Sequence, residues 1–181
     1  AVYKWTGGWR NSFTYKGFNL GFLIDFKFGA KIFSGTNYQL YYYGMHKNTL
    51  NGRTPENPAG SIVAQGIDEV TGQPNTTAVT SQDYYRAICN ANIAEEFVYS
   101  ADFIKLRELS FGYTFPKKFL EPLKYVKGLS VSFVARNLWT IMKHTPNIDP
   151  ESAINNTNAQ GLELNGYPAT RNIGFNINVK F

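Results

Sequence analysis

The chain has 181 residues, enough for one ordinary domain, and is 43% apolar and 16% aromatic, with 14 Phe and 12 Tyr. No run approaches the roughly 20 consecutive apolar residues of a membrane-spanning helix, so a helical membrane protein is excluded. The formal charge of +5 permits an anionic partner, yet the basic residues are scattered. The densest pairs are Lys117-Lys118 and Lys124 with Lys127, no helical stripe forms, and nucleic acid is not an expected partner.

After an irregular opening, residues 8–15 alternate Asn11, Phe13 and Tyr15 against Arg10, Ser12 and Thr14, the period of a β-strand. Lys16-Gly17 then supplies a tight hairpin turn with a φ-permissive glycine. The second arm is expected over 18–33. It sets Phe18, Leu20, Phe22, Ile24, Phe26 and Phe28 on one face and Asn19, Gly21, Leu23, Asp25, Lys27 and Gly29 on the other. Unpaired buried charge is costly, so Asp25 and Lys27 mark the second face as wet.

From about 34 to 102 the alternation disappears into a loop rich in Gly, Pro, Asn and Thr, with a short helix expected from Ser81 to Cys89. Such a loop is abnormally long for a compact soluble domain and natural on the outer side of a membrane barrel. A strand over 103–115 follows, with Leu109, Phe111, Tyr113 and Phe115 on one face. Ile104 and Leu106 take the opposite parity, which predicts a bulge near Arg107 and Glu108. Pro116 stops this strand, and "KKFLEPLKYVKG" makes a short connection with room for a helical turn. The fourth strand is expected over 129–138, with Val131, Phe133 and Ala135 outward and Trp139 directly after it. A second long loop, 139–170, leads to a strand over 171–181 in which Ile173, Phe175, Ile177, Val179 and Phe181 alternate with Asn172, Gly174, Asn176, Asn178 and Lys180.

One apolar face and one amide-rich face suit two architectures. In a soluble or surface-attached β-sandwich the apolar face meets a second sheet; in a transmembrane barrel it meets lipid, and the polar face lines a lumen. The order of short turn, long loop, short turn, long loop favours the barrel. So do the aromatics, with Tyr15, Phe18, Phe115 and Phe181 expected at the periplasmic rim and Trp139, Phe33, Phe103 and Trp9 at the opposite one. Lumen-facing positions are then Asn19, Asp25, Lys27, Asn172, Asn176, Asn178 and Lys180.

No catalytic constellation stands up. His46 and His144 both fall in loops without a second ligand at metal spacing and read as exposed loop histidines. Glu95-Glu96, and Asp149 with Glu151, read as solvated loop acids or turn residues rather than a catalytic carboxylate pair. Neither a nucleophile elbow nor a phosphate-binding glycine loop is present. The expectation is a non-enzyme with no cofactor and no metal. Cys89, the only cysteine, permits no internal disulfide and reads as a buried or idle thiol. The cluster Tyr38, Tyr41, Tyr42 and Tyr43, together with Trp139, supplies candidates for contact with a ligand or a lid. Packing within the loop is the favoured account of the tyrosines.

The pieces "GGWRNSFTYKGFNLGFLIDFKFG", "LRELSFGYTFP", "ARNLWT" followed by "DPE", and "YPATR" before an aromatic-ended strand resemble the C-terminal part of a SusC/RagA-type TonB-dependent outer-membrane transporter of the Bacteroidetes. The resemblance touches most of the chain outside about 48–100. It implies an antiparallel barrel of about 22 strands, to which this chain gives five, with a plug and TonB box lying elsewhere. The chain is then expected to be a fragment, a cleaved product or one piece of a split transporter. The implied activity is uptake of glycan or peptide fragments across the outer membrane of a Gram-negative bacterium. The implied partners are the remaining portion of the barrel, a SusD-like surface lipoprotein, TonB, outer-membrane lipid and the barrel-assembly machinery. The last of these would read Phe175, Ile177, Val179 and Phe181 as an assembly signal.

Overall fold

Alternating sequence makes alternating faces, and the computed structural model turns five such segments into one antiparallel meander. It describes residues 2–123, 125–153 and 160–181; Ala1, Lys124 and positions 154–159 of the second long loop lie outside the described residues. The first hairpin joins β1 (Trp5–Tyr15) to β2 (Phe18–Phe28) through Lys16 at φ 46° and Gly17 at φ 88°. Positive φ at both central positions is the turn whose twist matches the flanking strands. A Cβ on Gly17 would also lie 2.7 Å from the Thr114 carbonyl oxygen, so a side chain is excluded there twice over.

The chain then leaves the sheet through β3 (Lys31–Ser34), α1 (Gly35–Tyr42), β4 (Ile62–Val63), β5 (Ala78–Val79), α2 (Ser81–Asn90) and β6 (Val98–Ser100). It returns in β7 (Phe103–Thr114), crosses the turn helix α3 (Lys117–Leu120) and runs up β8 (Gly128–Lys143). After β9 (Leu162–Glu163), β10 (Asn172–Lys180) closes the order β1-β2-β7-β8-β10. Both long connections leave from one end of this sheet and both short ones from the other. The sheet is an antiparallel barrel wall that does not close on itself within this chain.

Register shows which residues share a face. Phe13, Leu20, Phe111, Phe133 and Phe175 form one row across all five strands, and Tyr15, Phe18, Tyr113, Val131 and Ile177 form the next. Ring pairs knit these rows: Phe13–Phe22 at 6.4 Å, Phe18–Tyr113 at 4.7 Å and Phe133–Phe175 at 5.7 Å. No described element covers this face, and Phe175 and Ile177 are 76% and 65% exposed. The opposite face carries Asn19, Gly112, Ser132 and Asn176 in one row and Gly8, Asp25, Lys105 and Thr140 in another.

Several expectations are corrected. The second strand ends at Phe28 rather than 33, because Gly29 turns the chain at φ 86° and residues 31–34 pair instead with β6 and, in parallel, with β9. The fourth strand continues to Lys143, so Trp139 lies within it. The bulge expected near Arg107 and Glu108 is present and falls on Arg107: Leu23 faces Glu108, but the next residue, Ile24, faces Leu106. The connection from 34 to 102 is not irregular throughout. Tyr41, Ile62, Tyr85, Cys89 and Phe97 form a small core there, with Phe33, Tyr38 and Tyr42 packed against it. Phe33 is thereby drawn out of the expected rim, and Phe103 is fully buried on the other side of the sheet.

Candidate functional site

The bulge decides the chemistry of the polar face. In a regular strand Arg107 and Glu108 would point to opposite sides; one extra residue lets both charges lie on the wet side. Arg107 there donates from Nε to Asp25 Oδ2 at 3.1 Å, from Nη1 to Asn137 Oδ1 at 3.0 Å and from Nη2 to Glu151 Oε2 at 2.7 Å. A second Nη2 contact reaches Asp25. Lys105 donates to both Asp149 oxygens at 2.8 and 2.9 Å and to Glu151 Oε2 at 2.8 Å. Lys27 completes the cluster at 3.1 Å from Glu151 Oε1. Three cations thus meet three carboxylates at the loop end of the sheet.

Aromatic rings wall this cluster. The Lys105 ammonium lies 4.7 Å from the Phe103 ring centroid, and Lys27 lies 5.4 Å from that of Tyr3. Tyr3 donates its hydroxyl proton to the Pro150 carbonyl at 3.2 Å, tying the Asp149-Pro150-Glu151 loop to the opening of the chain. Burial, with Glu151 and Asp149 close by, pushes the Tyr3 phenol up to about 12. Burial opposes charge on Glu151 as well, but hydrogen bonds from Lys105 and Arg107 outweigh it and hold the carboxyl down at about 2. An open cleft of about 240 Å³ beside the cluster is lined by Lys105, Arg107, Asn137, Glu151 and Tyr167. These charged groups are already paired, which suits them to fixing a loop and presenting a polar wall.

A buried carboxylate, Glu163, organises the cap that the two long connections build at this end of the sheet. Glu163, 1% exposed, accepts from Ser34 Oγ at 3.0 Å, Thr36 Oγ1 at 2.6 Å, Thr36 N at 3.1 Å and Gly166 N at 2.9 Å. Burial raises its affinity for a proton, and these donors reverse the effect, leaving its pKa lowered. Asn37 on the same helix donates to the Pro146 carbonyl at 2.9 Å and accepts from Asn147 Nδ2 at 2.8 Å. Both long connections are therefore fastened to the start of α1.

Asp25 and Lys27 are the only two of the sequence-derived lumen residues that meet in the ion cluster. Asn19 lies at the far end of the sheet, donating to the Gly17 carbonyl at 3.3 Å and to Thr114 Oγ1 at 3.2 Å. Asn172, Asn176, Asn178 and Lys180 occupy the polar side of the exposed strand β10. Tyr41, 2% exposed, gives its hydroxyl to Glu96 and accepts from Asn48, so it has no face for a ligand. Tyr38 reaches the Cys89 carbonyl and Tyr42 lies against Arg86, whereas Tyr43 is exposed. Trp139 shares the outer apolar row of Ile24 and Leu106, which removes it from the ligand side. His46 is buried rather than exposed, its ring 4.6 Å from that of Tyr41, and burial lowers its pKa. Among the described residues no group of three or more acidic, His or Cys side chains is placed to hold a metal.

Lys105, Arg107 and Glu163 escape a sequence reading. The parity slip before Leu109 announces an irregularity but not that two cations would use it. Asp149 and Glu151 follow the second of their two readings, as structural turn residues rather than solvated acids: Glu151 N donates to Asp149 Oδ1 at 2.8 Å, and both side chains are largely withdrawn from water.

A single-layered antiparallel wall, apolar outside and charged within, with its loops gathered at one end, defines a membrane β-barrel segment. No protein-family model matches the chain. It is 27% identical over 182 aligned residues to TonB-dependent receptor P3 of Formosa agariphila, and 28% identical over 177 to TonB-dependent receptor P39 of the same organism. Each match takes in 97% of this chain but only 16% of the relative. Among solved structures it is similar to the RagAB peptide transporter, with a TM-score of 0.60 and 22% identity, covering 97% of this chain and 17% of that one. The RagAB peptide importer in its open-open state gives a TM-score of 0.61 at 21% identity. These likenesses bear out the resemblance to SusC/RagA-type TonB-dependent transporters, and the shared fold is a part of their barrel. The named relatives are receptors and transporters, not enzymes.

Proposed function

We propose that the chain is a C-terminal wall segment of a TonB-energised outer-membrane importer of glycan or peptide fragments. The observation that carries this reading is the asymmetry of the β1-β2-β7-β8-β10 sheet, whose exposed apolar rows lie opposite amides and ion pairs. The outer rows then face lipid. Asn19, Asp25, Lys27, Asn172, Asn176, Asn178 and Lys180 border a hydrated lumen, and the Asp149–Glu151 loop is pinned at the extracellular mouth. The outer edges of β1 and β10 have no partner in the described sheet, and unpaired edges are prohibitive in lipid, so both require strands from the remaining portion of the barrel.

Energy enters through TonB acting on a plug that this chain does not supply, and a SusD-like lipoprotein covers the mouth. Tyr43 is the ring of its cluster best exposed for contact with ligand or lid. Phe175, Ile177, Val179 and Phe181 offer the barrel-assembly machinery an alternating apolar strand to recognise. The sandwich alternative lacks support, since among the described residues no second sheet covers the apolar face.

The test is paired cysteine labelling in the full transporter. Cys89 is fully buried and gives little background. N176C should react with a hydrophilic thiol reagent, and I177C only with a lipid-soluble one. Protection of I177C from both reagents would favour the sandwich and overturn the barrel reading.

A further inference from the structure

We infer that the short-turn end of this sheet is a docking surface for anionic phospholipid headgroups. The inference rests on the barrel reading above, which places that end at the periplasmic leaflet. The first observation is that the outer aromatic row does not stop with the sheet. Phe18 meets Tyr113 at 4.7 Å between ring centroids, Tyr113 meets Phe115 at 5.0 Å, and Phe115 meets Phe119 of α3 at 5.4 Å. The lipid-facing surface therefore continues into the β7–β8 connection. Phe119 is 63% exposed there, and Leu123 and Tyr125 are also exposed, which is unusual for a turn bathed only by water.

The second observation is charge. Lys117 and Lys118 directly precede Phe119 on α3, Lys127 ends the connection, and the Lys16 ammonium lies 5.2 Å from the Tyr15 ring centroid at the neighbouring turn. Among the described residues, none of these four lysines enters an ion pair, whereas Lys27, Lys105 and Arg107 of the ion cluster at the opposite end are paired. The third observation is shape. Lys117, Leu120, Glu121, Leu123, Val126 and Lys127 line an open groove of about 320 Å³, so two lysines and three apolar side chains share its wall with one acid. Apolar side chains at acyl depth beneath unpaired lysines are the features by which a protein surface selects an anionic lipid over a zwitterionic one.

The test uses the full transporter in nanodiscs of phosphatidylethanolamine with a minority of phosphatidylglycerol, counting retained lipids by native mass spectrometry. Wild type should retain phosphatidylglycerol preferentially. Each lysine neutralised in K117Q, K118Q and K127Q should lower that preference by about fivefold, the factor given by ~1 kcal/mol per basic residue near an anionic surface, and the matching Arg variants should restore it. A wild-type ratio equal to the bulk mixture, or a ratio unmoved in the triple Gln variant, overturns the inference. So does a triple variant that loses uptake in cells with unchanged lipid selectivity, which would assign the lysines to a periplasmic protein. Failure of the barrel reading would look different: no inserted, heat-modifiable transporter would form in the nanodiscs.

Discussion

Glu151 carries more of the ion cluster than any other side chain, because Lys27, Lys105 and Arg107 all converge on it. Removing one partner of a fully buried pair costs roughly 3–5 kcal/mol, mostly through the charge left behind. Glu151 is partly exposed, and Asp149 and Asp25 remain to face Lys105 and Arg107. E151A should therefore lower the opening free energy of residues 146–152 by about 2 kcal/mol, read as faster amide hydrogen exchange confined to that loop. Protonation should act in the same direction. The folded carboxyl titrates at about 2 against an ordinary 4.5, so its contribution is complete above pH 4.5 and is lost as the pH falls toward 2. Protection of the loop amides, corrected for the intrinsic pH dependence of exchange, should fall over that window in wild type and change less in E151A. Equal acid sensitivity in the two proteins would mean that another carboxylate holds the loop.

Elements divide by how local their causes are. The hairpin and the terminal strand are legible because alternation and a turn glycine lie within a few positions of what they specify, and the helix expected from Ser81 has a local cause in the structure, where Thr80 caps it with Asp83 three residues on. The end of β2 is not legible: residues 31–33 continue to read as strand, and only the ladders offered by β6 and β9 draw them out of the sheet. α1 is missed for a related reason, since its anchor is Glu163, more than 120 residues away. That contact is also the most testable feature of the cap. E163A would leave the Ser34 and Thr36 hydroxyls and two backbone amides without their acceptor, at roughly 1–3 kcal/mol for each buried group left unsatisfied. Limited proteolysis of the full transporter should then cut within 35–102 at far lower protease concentration while β1, β2 and β7 stay intact. Cleavage spreading into those strands would show that the cap supports the wall, which the separate core around Tyr41 and Phe97 argues against.

At the scale of the whole molecule, the same side chain should be tolerated or rejected according to which side of one sheet it occupies. Phe22 lies in an outer row with Leu109, Ala135 and Ile173, and its ring meets Trp9 at 5.6 Å. Asn176 lies in an inner row with Ser132, Gly112 and Asn19. Neither position is close-packed against a second layer, so steric cost does not separate them; the medium does. A guanidinium at the outer position must enter hydrocarbon, at roughly 2–4 kcal/mol near the bilayer midplane, whereas one at the inner position enters a hydrated lumen already furnished with amides. F22R in the full transporter should therefore lower the folded, heat-modifiable fraction in outer membranes and shift unfolding to lower denaturant concentration. N176R should leave both nearly unchanged. In a sandwich the order would be preserved but F22R would yield a soluble, partly unfolded chain rather than a poorly inserted one, so the compartment in which the damaged protein accumulates separates the two architectures. Equal damage from F22R and N176R would remove the lumen assignment itself, because two faces that reject charge alike are both dry.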